Sequence, residues 1–86
     1  MSEWTDRLAE TLEVAPLDAA QQESLLSASR EIAHRTQRKE TPLSTYLLGV
    51  AVGGRTTAGA DPSDALQEAV AALLALLPPE APATNT

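Results

Sequence analysis

Thr41-Pro42-Leu43-Ser44-Thr45-Tyr46-Leu47-Leu48-Gly49-Val50-Ala51-Val52-Gly53-Gly54 is the one stretch of this chain that is apolar on nearly every side. Thr41 before Pro42 has the form of a helix start. The Thr hydroxyl can accept a backbone N–H of the first turn, and proline fixes φ where no donor is needed. From there Leu43, Leu47 and Val50 share one face, Tyr46 with Gly49 and Gly53 a second, and Leu48 with Val52 a third. A helix apolar all round is expected to be enclosed by others. A bilayer span takes roughly 20 apolar residues and this run has about ten, so the expectation is a protein core. Gly49 and Gly53 would let another helix backbone come close, and Gly53-Gly54 would supply the positive φ that ends the helix. Gly53-Gly54-Arg55 shares its glycines and basic residue with phosphate-cradling loops, but those loops follow a strand and this triplet follows a helix.

Working outward, Asp18 with Gln21 forms a capping box for a second helix expected over Ala19–Arg38, with Leu25, Ala28, Ile32 and Thr36 on its inner side. At about 100° per residue, Arg30, His34 and Arg38 make an outward ladder with Arg35 and Lys39 at its edge. Glu31 can pair with Arg35 four residues on. Arg55 to Ala60 reads as a polar connection. Asp61-Pro62 with Asp64 then starts a last helix to about Leu77, whose Leu66, Val70, Leu73 and Leu77 keep helical spacing. At the other end, Ser2 can cap a first helix ending near Val14, in which Trp4, Leu8 and Leu12 form a stripe that makes the tryptophan a core anchor. No segment alternates as a strand does. The expected fold is an all-α compact four-helix bundle, a single helical domain over residues 1–77 with a buried third helix, followed by a disordered Pro-rich tail over 78–86.

With 86 residues, one core is only just sufficient, so a homodimer contact is among the expectations. Cysteine is absent, which leaves no disulfide framework and no thiolate chemistry. The N-terminus lacks a basic region followed by an apolar run, and a cytoplasmic location fits both features. The net charge of −6 opposes general affinity for nucleic acid or an anionic membrane. Its distribution is uneven. Residues 1–29 hold one basic and six acidic side chains, residues 30–55 five basic and two acidic, and the remainder four acidic and no basic ones.

That basic island is the candidate site. Cations at the end of the second helix would lie near free N–H groups at the start of the third, a combination suited to phosphate, sulfate or a partner carboxylate. Arg30, His34, Arg35, Arg38, Lys39, Thr41, Ser44 and Thr45 are its candidate residues. The alternative is a solvated face whose cations complement the negative helix end. A hydrolytic triad lacks members: His34 is the one histidine, it is expected to face outward, and no third member is indicated beside Ser44 or Thr45. No carboxylate lies four residues from His34 to share a metal. No catalytic residue, metal site or cofactor is expected.

Glu31-Ile32-Ala33-His34-Arg35, Arg38 and Pro42-Leu43-Ser44-Thr45-Tyr46-Leu47-Leu48-Gly49, preceded by Trp4, carry a resemblance over residues 2 to about 77. The chain resembles a small uncharacterised actinobacterial helical domain family, also found fused to molybdopterin guanylyltransferase-like proteins. The resemblance implies a place near molybdenum-cofactor biosynthesis. It does not imply catalysis, because the nucleotidyltransferase signature is a glycine-rich loop leading to a lysine and Gly53-Gly54-Arg55 has no lysine after it. The leading expectation is a non-enzymatic accessory module that binds a protein partner, such as a molybdenum-cofactor enzyme, through the basic island. A small-anion or nucleotide-phosphate binder at the same corner is the alternative. A homodimeric structural protein pairing Leu26, Leu74 and Leu76 between chains is the third reading.

Overall fold

A computed structural model describes residues 3–79 and gives four helices: α1 (Glu3–Leu12), α2 (Ala19–Arg35), α3 (Glu40–Thr57) and α4 (Pro62–Leu76). There is no strand among the described residues, and the fold is all-α. Ser2, expected as a cap, and residues 80–86 of the expected tail lie outside the described residues.

The best-signalled starts are built as the sequence directs. Asp18 Oδ1 accepts the Gln21 N–H at 2.7 Å while Gln21 Oε1 accepts the Asp18 N–H at 2.9 Å, closing the capping box of α2. Asp61 accepts the Asp64 N–H at 3.1 Å ahead of α4, with Pro62 in the first turn. α2 stops three residues before the expected Arg38. The Thr36 hydroxyl donates to the Ile32 carbonyl at 2.6 Å, and Thr36 itself leaves helical geometry at φ −128° and ψ −130°.

Both ends of α3 differ from expectation. Its cap is Lys39, already helical at φ −67° and ψ −16° with no side-chain cap bond, so the helix opens one residue before Thr41 and Thr41 does not cap it. Gly53-Gly54 does not end it. The chain runs on to Thr57, with the Thr56 and Thr57 hydroxyls donating to the Val52 and Gly53 carbonyls at 2.9 Å each. The stop comes at Gly59, where φ is +108° and the Ala60 N–H closes on the Arg55 carbonyl at 3.0 Å. Nor does another helix approach Gly49 or Gly53: a methyl group built on either would meet nothing within 4 Å.

α2, α3 and α4 make the core. Gln21 Nε2 donates to Ser63 Oγ at 3.5 Å and Gln67 Nε2 to Ser24 Oγ at 3.0 Å. The pairing of 21 with 63 and 24 with 67 means that α2 and α4 run parallel, and short turns fold α3 back against both. Between them Ala28, Leu48, Leu66, Ala69 and Val70 are buried together, with Leu25, Val52 and Leu73 packed on their edge. Ile32 is the one large side chain buried to 1% exposure. The alanines let the helices sit close, so little volume fills the seam.

Two expectations about burial are corrected. α3 is not enclosed: Leu48 is its only buried residue, while Leu43, Tyr46, Leu47 and Val50 are 57% to 72% exposed. The two helices packed against it, α2 and α4, cover one side of α3 and leave the rest to solvent. Trp4 is not a core anchor. It is 67% exposed, and no Cα of α1 comes within 8 Å of a Cα in another helix. The stripe of Trp4, Leu8 and Leu12 is real, but nothing in the three-helix core covers it. Substituting Ile32→Ala should remove about 2–5 kcal/mol of unfolding free energy in urea titrations, whereas Leu76→Ala, at a side chain 86% exposed, should change it by less than about 0.5 kcal/mol.

Candidate functional site

The helical periods that fill the core also leave a groove. On α3 the positions Glu40, Ser44, Leu47, Ala51 and Arg55 recur every three or four residues along one side. On α4 Ala69, Ala72, Leu73 and Leu76 do the same. Between these rows lies an open cavity of about 860 Å³, closed at its floor by Ile32 and Leu48 and at one end by Thr36, Gln37, Leu77 and Pro78. Its walls are mostly aliphatic. The polar groups sit at its ends: Glu40 and Gln37 beside the turn between α2 and α3, and Arg55 at the opposite end of α3, where it forms an ion pair with Glu68. The outer stripe of Leu43, Tyr46, Leu47 and Val50 continues the apolar surface over the rim, with Leu47 common to both.

The basic island divides when placed on this frame. Arg38 and Lys39 are exposed in the turn between Gln37 and Glu40, which line the groove, but do not line it themselves. His34 is exposed near the end of α2. Arg35 is partly covered, its Nε 2.9 Å from Glu31 Oε1 in an ion pair whose angle falls outside hydrogen-bond alignment. Arg30 goes elsewhere, lining a separate hollow of about 320 Å³ with Gln22, Glu23 and Leu26 on α2.

The hydroxyls divide as well. Ser44 lines the groove, Thr45 donates to the Pro42 carbonyl at 3.0 Å, and Thr41 Oγ1 is buried without a hydrogen-bond partner. Two backbone donors expected at the α3 start are already engaged: the Glu40 and Thr41 N–H groups donate to the Gln37 and Arg38 carbonyls at 2.9 and 3.1 Å. An anion at this corner would therefore depend on side-chain cations more than on backbone N–H groups.

Among the described residues no three His, Cys, Asp or Glu side chains gather as metal ligands. No described helix is long and apolar enough to cross a membrane. Gly53 and Gly54 lie inside α3, and Arg55 is bound to Glu68, so that triplet does not form a loop.

The groove residues Leu47, Ala51, Ala69, Ala72 and Leu73 were not among the sequence candidates. The signal that could have found them is a surplus: α3 and α4 carry more apolar side chains than a three-helix seam can cover, with Leu74 and Leu76 left over on α4.

The described residues thus form a small all-α domain with an open apolar groove and with cations in the turn beside it. The chain belongs to the family described as a domain of unknown function (DUF6457), whose model matches residues 1–85. No curated protein and no solved structure matches it.

Because the groove is open, side chains enlarged into it meet space. Ala51→Leu and Ala72→Leu are expected to unfold within about 0.5 kcal/mol of the parent at low chain concentration. Ala28→Leu, at a position 1% exposed inside the core, should cost about 1–3 kcal/mol; urea titration measures all three.

Proposed function

We propose that this domain is a non-enzymatic interaction module that receives an amphipathic helix of a protein partner in the groove between α3 and α4. The carrying observation is that α3, apolar on every face, buries only Leu48 and exposes Leu43, Tyr46, Leu47 and Val50 beside an aliphatic trough. Contiguous exposed apolar surface of this kind marks interaction sites on small domains, and helix-in-groove recognition uses side chains at this spacing. Arg38 and Lys39 at one end favour an acidic helix and would speed its encounter more than they would hold it. The basic island is then the margin of the site and the trough its centre.

The family resemblance supplies the partner class. The sequence resembles a family implied to occur fused to molybdopterin guanylyltransferase-like proteins, and that resemblance is the support for a cytoplasmic partner from molybdenum-cofactor biosynthesis. Calorimetry of the full chain against a molybdopterin guanylyltransferase tests this. Ala51→Arg, which places charge in the trough, should weaken binding at least tenfold, and Arg35→Glu with Arg38→Glu should weaken it less and mainly at low salt. Binding lost only on charge reversal would return the site to the basic island, and no heat with the parent chain would remove the molybdenum connection.

A second reading, a small-anion or nucleotide-phosphate site at the turn, is favoured by the unpartnered Thr41 hydroxyl beside Lys39. Under it, millimolar phosphate should shift the amide resonances of residues 35–45, and an unchanged spectrum would end it.

A further inference from the structure

We infer that the groove receives α1 of a second copy of this chain, so that two copies exchange their first helices. This rests on the reading of the trough as a helix-binding surface and names one occupant of it. α1 is the most strongly two-sided helix of the protein, with Trp4, Leu8 and Leu12 on one side, 67%, 38% and 61% exposed, and charged residues on the other. Its Cα atoms keep more than 8 Å from those of every other helix. Ala9 is the one buried residue of α1, so one chain carries a helix with an exposed apolar stripe and an open apolar trough.

Charge agrees with the match. Glu3, Asp6 and Glu10 against Arg7 leave α1 with a net charge of −2, while Arg38 and Lys39 outnumber Glu40 in the turn beside one end of the trough and Arg55 at the other end is paired with Glu68. Under two-fold symmetry each copy gives one helix and receives one, so the contact closes with no unmatched face.

The connection decides between the two sources of α1. α1 ends in a formed cap, with Glu13 at φ 59° and the Val14 N–H on the Ala9 carbonyl at 2.9 Å. With that cap in place α1 has no Cα within 8 Å of the three-helix core. A second copy can take α1 as it stands, whereas the chain's own trough could take it only after residues 13–18 were rerouted.

Trp4 is the sole tryptophan, so its emission reports the fate of α1 directly. Sedimentation and fluorescence are followed together as full-length chain is concentrated to about 100 µM, within the affinity range open to such an interface. The expected result is a mass rising from 9.0 kDa toward twice that value, in step with a blue shift of Trp4 emission. Ala51→Arg in the trough and Leu8→Glu on α1 should each hold the chain monomeric with exposed Trp4 emission. Leu8 lies outside the core cluster, so its variant stays informative if Ala51→Arg fails to fold. Blue-shifted emission at monomer mass would overturn the exchange in favour of the chain's own α1. A dimer with exposed Trp4, or a monomer with exposed Trp4 throughout, would also overturn it. Guanylyltransferase binding that remains sensitive to Ala51→Arg in those cases keeps the groove reading, and binding insensitive to Ala51→Arg ends the groove reading by itself.

Discussion

Three helices joined by short turns can enclose one seam, and the width of that seam governs the rest of this molecule. Ala28 on α2 and Ala65 and Ala69 on α4 are buried where larger residues would hold the helices apart. Close approach gives good dispersion contact but little enclosed volume. Leu48, Leu66, Val70 and Ile32 fill what there is. The remaining apolar side chains of α3 and α4 have no interior left to enter, and the trough and the bare stripe of α3 follow from that geometry.

Local features were legible where their physics is local. The Asp18–Gln21 box and the Asp61–Asp64 cap depend on residues three apart, and both form. The Glu31–Arg35 pair depends on one helical turn, and it forms too. The limits of α3 were harder to read, because glycine permits a stop without requiring one. Two glycines cost a helix about 1 kcal/mol each, and the Arg55–Glu68 tie with the hydroxyl bonds of Thr56 and Thr57 favours continuing. The start moved because Lys39 already has helical geometry, which leaves Thr41 inside the first turn instead of before it.

Enclosure was not legible, and the reason is general. Periodicity says which side of a helix is apolar, but not whether anything covers that side. Trp4, Leu8 and Leu12 lie on one face as their spacing requires, yet α1 lies apart from the core. Leu43, Leu47 and Val50 share a face for the same reason and meet solvent. The candidate site shared this fate. Arg30 and Arg38 fall on one side of α2 by sequence, but α2 ends at Arg35, so Arg30 lines the hollow on α2 while Arg38 lies exposed in the turn that follows.

The turn closed by Gly59 has a kinetic consequence. Because α3 and α4 are neighbours in sequence and pack along each other, their contacts form by closing a short loop, which carries a small entropic barrier. The paired helices present a continuous template onto which α2 can dock from the other side. A topology dominated by such nearby contacts reaches its native state in the microsecond-to-millisecond range. The positive φ at Gly59 permits the short connection that keeps this loop-closure cost low.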